Sequence, residues 1–271
     1  MQFLTKRNFL HTARTTQNKN LSALLACVGT LLLPTSVLAG DLTQYQAKYD
    51  VLRKGETHGK AVRELKKAAD GNYVITYHSE IEWMIFSDSR KETSMFTYHD
   101  QKISPLSYTM ERSGTGPDKE YSLKFDATQK QVQSSQSKYP LKIDWSDDFQ
   151  DSLSYQVQVR EELKQGKTQL SYPLIDKKGN LRNYDFEVVG TEMISLPIGN
   201  VEAIKVKRLY DNDKRQALAW FAPEMDYMLV RMWKGEKGVE QFEVQLNSFT
   251  VTTPVSVPNE VQQEVSNEAP E

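Results

Sequence analysis

From Tyr73 to Phe86 the chain alternates residue by residue: Tyr73, Ile75, Tyr77, Ile81, Trp83 and Ile85 fall on one side, Thr76, His78, Glu80 and Glu82 on the other. Only an extended strand sorts side chains with a period of two, so this segment predicts a half-buried β-strand. The pattern recurs. Leu106, Tyr108 and Met110 share a face, as do Tyr121, Leu123 and Phe125, then Tyr184, Phe186 and Val188, and Phe242, Val244 and Leu246. Turn-forming clusters separate the runs: Lys54-Gly55, Asp70-Gly71-Asn72, Gly114-Thr115-Gly116-Pro117, Lys178-Gly179-Asn180, Gly199-Asn200 and Asp211-Asn212-Asp213. About a dozen short antiparallel strands joined by hairpins follow from this spacing.

One segment departs from the rhythm. Ser146, Asp147 and Asp148 predict a helix start with an acidic first turn, Gly166 a stop, and Phe149, Leu153, Val157 and Leu163 an apolar stripe at near-helical spacing. Tyr155 to Val159 alternates equally well as a strand. The fold class expected is mainly β: a strongly curved antiparallel sheet or near-closed β-barrel with one helix packed on its surface or across its mouth.

Charge is unevenly placed along the 271 residues. Residues 1–39 hold Lys6, Arg7, Arg14 and Lys19 and no acidic residue; the rest holds 30 basic and 36 acidic groups, a net charge of −6. That balance excludes a nucleic-acid partner, which needs clustered excess Lys and Arg. Behind the basic start lies an apolar run from Leu21 to Leu33, broken by Pro34, with Val37 and Ala39 at the positions a signal peptidase reads before Gly40. This predicts a cleaved signal peptide at 1–39 and a periplasmic product. The run is too short for a membrane span, and none is expected after cleavage. Leu24-Leu25-Ala26-Cys27 offers a minor alternative, a lipoprotein with Cys27 lipidated. Cleavage after Ala39 removes Cys27, the sole cysteine, and with it any thiol nucleophile or thiolate metal site. From Thr252 the chain carries three prolines, four glutamates and no basic residue, which predicts an acidic disordered tail at 252–271. A single β-rich domain at 40–251 remains.

Several segments carry a family resemblance: Tyr45-Gln46-Ala47-Lys48-Tyr49-Asp50-Val51 with Gly55; Asp148-Phe149-Gln150-Asp151-Ser152-Leu153-Ser154 before Arg160 and Leu163; Gly190-Thr191-Glu192 with Leu196-Pro197-Ile198-Gly199; and Trp220-Phe221-Ala222-Pro223-Glu224. Over about 45–246 the chain resembles the exported bacterial family named as domain of unknown function 3108. It departs from that family's pattern after the tryptophan motif, where Met228-Leu229-Val230 stands in place of a frequent proline. The resemblance implies a periplasmic β-rich protein of unestablished function.

The sequence offers no catalytic site, metal site or cofactor motif. His58, His78 and His99 are dispersed, and neither a Gly-x-Ser-x-Gly elbow nor a phosphate loop is present. His78 beside Glu80 and Glu82 reads as a solvated strand face, and Asp147, Asp148 and Asp151 as helix-capping residues. Ligand-binding candidates are the large aromatics Trp83, Tyr108, Phe125, Trp220 and Trp233, which line an apolar cavity in an open barrel or fill the core of a packed one. Three functions are compatible: a carrier for an apolar small molecule or lipid of the envelope, a non-enzymatic scaffold binding an envelope protein partner through a sheet edge or the tail, and, more distantly, an envelope glycan hydrolase.

Overall fold

The structure is a computed structural model describing residues 40–136, 141, 143–176 and 179–252. The expected signal peptide, Cys27, Lys178 of one turn and nearly all of the acidic tail lie outside these residues. Among them are thirteen strands in one antiparallel sheet, in the order β7-β6-β5-β4-β3-β2-β1-β13-β12-β11-β10-β9-β8. The first meander comprises β1 (Gln44–Arg53), β2 (Glu56–Lys67), β3 (Tyr73–Trp83), β4 (Phe86–His99), β5 (Lys102–Gly114), β6 (Lys119–Asp126) and β7 (Gln131–Ser134). The helix α1 (Ser154–Lys164) follows, and then β8 (Gln169–Ile175), β9 (Leu181–Leu196), β10 (Gly199–Leu209), β11 (Arg215–Ala222), β12 (Met228–Glu236) and β13 (Val239–Thr252). β13 returns to pair with β1, joining the two meanders at the centre of the sheet.

The expected hairpins are formed. Lys54 and Gly55 both adopt positive φ, 52° and 81°, as the two-residue turn between β1 and β2 requires. Ile85 lies in the β3–β4 turn rather than on the strand face to which its spacing assigned it. The Trp220 motif ends β11 at Ala222, and Pro223, with no N–H to give the ladder, opens a 3-10 turn at Pro223–Met225.

The sheet curls tightly without closing. β6 and β8 stand eleven strand steps apart, about 53 Å if flat at about 4.8 Å per step. Yet the Tyr121 hydroxyl on β6 donates to the Asp176 carbonyl just after β8 at 2.9 Å. The remaining seam is filled by the chain before α1. Gln150 donates its N–H to Pro173 O at 2.9 Å and its side-chain amide to Ile103 O at 2.8 Å, while Phe149 and Leu153 enter the core.

The helix starts later than its sequence signals suggest. Its first residue is Ser154, and the capping carboxylate is Asp151, whose Oδ1 accepts from Leu153 N–H at 2.8 Å and Ser154 N–H at 2.9 Å. Ser154 Oγ accepts from Asp151 N–H in return, and Ser94 Oγ–H on β4 donates to Asp151 Oδ2 at 2.6 Å. Asp147 and Asp148 cap nothing: they accept from the Trp145 indole and from Lys102. The alternating Tyr155–Val159 stretch is helical because Val157 faces one half of the core and Val159 and Leu163 the other. Gly166, at φ 76°, ends the helix and donates to Leu163 O. No helix among the described residues is long and apolar enough to cross a membrane.

Candidate functional site

Paired residues in an antiparallel ladder project to the same side, so the registers identify which side chains face α1. One transverse row reads Tyr45, Leu65, Ile75, Ser94, Tyr108 and Leu123; the next reads Ala47, Arg63, Tyr77, Glu92, Met110 and Tyr121; the next reads Tyr49, Ala61, Ser79, Arg90, Arg112 and Lys119. On the other meander the same side carries Val244, Met232, Ala219 and Val206, with Lys234 opposite Phe242. This is the concave side, and α1 lies in it.

Burial is mixed along that side. Leu65, Ile75, Phe96, Ile103 and Leu246 are inaccessible to solvent, and Tyr49, Val51, Ala61 and Ser79 are buried. On the same side Tyr77, Ile81, Met110, Met232 and Phe242 are only half-buried.

The same side carries a group of cations. Arg63, only 7% exposed, donates to the neutral Oε1 of Gln156, and its Nε has no hydrogen-bond partner. Arg208 stacks 3.4 Å over the Tyr184 ring and 4.5 Å over Tyr210, its Nε also unpartnered. Lys234, although exposed, lies below the ordinary lysine range because partial desolvation disfavours its charge and Arg208, Arg215 and Arg90 repel it. Arg90 and Lys234 sit on strands five steps apart, about 24 Å in a flat sheet, so this repulsion acts across the concavity. Tyr155, on α1, feels both Arg63 and Arg208, and Tyr77 feels both Arg63 and Arg90. Arg63, Arg90, Lys234 and Arg208 thus share the concave side as a loose ring of cations, with Tyr77 and Tyr155 within electrostatic reach of its members, Arg90 paired with Glu92 and Lys234 exposed.

Acidic compensation is partial. Glu92 takes the Arg90 guanidinium at 3.5 Å and the Tyr108 hydroxyl at 2.7 Å, and Asp88 takes Arg112. Among the described residues Arg63, Arg208, Arg215 and Lys234 have no carboxylate partner in an ion pair. Asp151, at the helix start, is raised to about 6 by burial, against the hydrogen bonds from Ser94, Ser154 and Leu153. By contrast, the buried Arg160 is paired: it holds Asp226 at 2.9 Å, and Lys164 holds the same carboxylate at 2.6 Å.

The five aromatics singled out in the sequence do not share one face. Tyr108 and Phe125 are buried on the concave side. Trp83 stands at the end of β3, 38% exposed, with the Arg53 guanidinium 4.1 Å over its ring. By register Trp220 and Trp233 have the opposite parity to Val206 and Met232, yet Trp220 is buried in the same core cluster as Tyr108 and Phe125, and Trp233 packs half-buried against it. Trp220 lies between its register partners Lys205 and Arg231 and donates to Glu192 at 2.6 Å; Trp233 covers Gly235 and donates to Glu240 at 3.0 Å. Alternation identifies a shared face but not which face is concave, and that is why Trp220 fills core away from the α1 side rather than lining it.

A second depression, about 380 Å³, lies outside the concavity between α1, β8 and the β4–β5 turn. Of its three carboxylates, Asp100, Asp148 and Glu162, the last two are held by Lys102 at 2.7 Å and Lys167 at 3.0 Å, with Tyr172 also donating to Glu162. That pairing fits surface structure rather than acid–base work. His78 sits on the outward face, its side chain 42% exposed, with its Nε2 covered by neighbouring atoms and 3.3 Å from Glu80. Among the described residues no group of three His, Cys, Asp or Glu side chains is placed to hold a metal ion.

Comparison with solved structures gives a β-barrel-like protein of domain of unknown function DUF1849 from Brucella abortus, 10% identical over 78% of this chain and 99% of that one, TM-score 0.49. A DUF1329 family protein from Desulfovibrio piger is 11% identical over 80% of this chain and 89% of that one, TM-score 0.21. No curated protein matches the sequence. The model of the protein family of unknown function DUF3108 matches residues 44–239, the span from the first strand to the start of the last. The chain therefore belongs to the DUF3108 family.

Proposed function

We propose that this protein is an exported, periplasmic, non-enzymatic carrier for an apolar ligand of the cell envelope, held in the concave side of the sheet. The observation that carries the reading is the incomplete cover of five large side chains on the concave side: Tyr77, Ile81, Met110, Met232 and Phe242 are half-buried among fully buried neighbours. A folded chain leaves large side chains half-covered along an inward face where that face bounds an accessible space. Export rests on the apolar run before Ala39 and the basic residues preceding it.

Native mass spectrometry of protein purified gently from the periplasm tests both parts. The expected result is a chain beginning at Gly40 that carries a bound apolar molecule. An empty protein that also fails to take up an environment-sensitive apolar dye would sink the carrier reading. An uncleaved chain, or one lipidated at Cys27, would overturn the export route.

One observation favours a second reading, a scaffold for another envelope protein. At the β3–β4 turn Met84 is 87% and Ile85 85% exposed, beside half-exposed Phe86 and Trp83. Such an apolar tip is a docking element when a partner covers it. Loss of a co-purifying protein on I85S, with dye uptake unchanged, would support this reading over the carrier.

A further inference from the structure

The ring of cations asks for something the described chain does not supply. An arginine buried to 93% normally has a carboxylate beside it, because the desolvation of its charge is otherwise uncompensated. Arg63 has a neutral glutamine, the rings of Tyr45, Tyr49, Tyr77 and Tyr155 within electrostatic reach, and an Nε–H aimed at no acceptor. Arg208 has two tyrosine faces and the same orphaned Nε–H. Arg90, paired with Glu92, and Lys234, which is exposed, lie on the same concave side five strands apart, and Lys234 already bears the repulsion of its neighbours. One anion in the middle would satisfy the free guanidinium donors and relieve that repulsion together. Half-buried Tyr77, Ile81, Met110 and Phe242 lie on the same face as the ring.

We propose that this ring binds the anionic end of an amphipathic ligand, a carboxylate or phosphate group, whose hydrocarbon part lies along Tyr77, Ile81, Met110 and Phe242. This rests on the carrier reading above and specifies its ligand class: a single-chain amphiphile with a charged terminus rather than a neutral hydrocarbon or sterol. Arg63 and Arg208 bind it by charge-assisted hydrogen bonds, and Arg90 and Lys234 add field.

The test uses the full mature chain and four probes in titration calorimetry at fixed ionic strength: palmitate, lysophosphatidic acid, hexadecanol and lysophosphatidylcholine. The expected result is that palmitate or lysophosphatidic acid binds at least tenfold more tightly than hexadecanol. The two anionic probes distinguish a carboxylate from a phosphate ligand. Lysophosphatidylcholine, which keeps the phosphate but cancels its charge, should fall with hexadecanol. R208Q, at a half-exposed position, should weaken the anionic probe about tenfold and leave hexadecanol unchanged. R63Q should do the same, and without ligand its melting temperature should equal or exceed that of the wild type, because it removes an unpaired buried charge. Equal affinity for charged and neutral probes, or an R208Q protein that keeps its preference, overturns the anion site while the carrier reading stands. Failure of all four probes to bind overturns both. A marked drop in the melting temperature of ligand-free R63Q would make that arginine structural and remove it from the site.

Discussion

Replacing Asp151 with asparagine should abolish a pH dependence of stability that the wild-type protein carries between about pH 4 and pH 6, the range set by the shift of this carboxyl. The Asp151 carboxyl is inaccessible to solvent and is raised from 3.8 to about 6, chiefly by burial and in spite of three hydrogen-bond partners. Its folded-state value lies above the unfolded one, so the folded protein holds the proton more tightly. The stabilisation is complete below 3.8 and is lost as pH rises through about 6. The gap corresponds to about 3 kcal/mol at about 1.4 kcal/mol per pH unit. In D151N the amide oxygen still accepts from Leu153 and Ser154 N–H, and the amide nitrogen donates to Ser94 Oγ, which turns to accept. The cap survives and the ionisation does not. Urea denaturation followed by tryptophan fluorescence at pH 4, 5, 6 and 7 gives both stabilities. The variant should gain on the wild type by roughly 2.5 kcal/mol from pH 4 to pH 7, since at pH 4 the unfolded carboxyl is already partly ionised. The difference cancels the opposing contribution of Asp50 and Asp226, which lysine contacts hold below the usual range in both proteins. A difference that stays flat with pH would refute the argument that Asp151 ionises at a desolvated site.

G59A should destabilise the fold by roughly 1–3 kcal/mol in the same denaturation assay, because its Cβ would stand 2.2 Å from the Glu80 carbonyl oxygen, backbone that cannot step aside. R160M breaks the buried pair with Asp226, and since Lys164 still holds that carboxylate the loss should sit at the low end of the usual range, about 3 kcal/mol. Y121F removes the hydrogen bond between β6 and the end of β8 and should cost about 1 kcal/mol, with amide exchange quickening at the two sheet edges before the centre. No change in edge exchange would show that the pre-helix segment alone holds the seam.

Most of the strand architecture was legible in the sequence because each strand is half-buried and writes its own alternation. What remained illegible depended on contacts between distant segments. Asp147, Asp148 and Asp151 are equivalent as capping residues in isolation; Ser94, more than fifty positions away, selects Asp151 by meeting its second oxygen. The two faces of β11 and β12 both carry large side chains, so Trp220 and Trp233 gave no sign that they point away from the α1 side. The cation ring draws Arg63, Arg90, Arg208 and Lys234 from β2, β4, β10 and β12, and no local window contains more than one of them. A faint signal did exist: Arg63 occupies the apolar parity between Ala61 and Leu65, where a charged residue interrupts a face meant for the core.

The pairing of β1 with β13 gives the fold a temporal order. Every other neighbour in the sheet is joined to the next by a single turn, or lies across the short pre-helix seam, and can zip as soon as it is made. Gln44–Leu52, in contrast, must wait for Glu243–Thr252, nearly two hundred residues later, before its second edge is covered. Until then the future centre of the sheet is an exposed edge strand that other chains can join. Assembly of the two halves is thus a late event that requires nearly the whole chain, and a polypeptide stopped short of β13 would be an aggregation-prone fragment rather than a smaller version of the same protein.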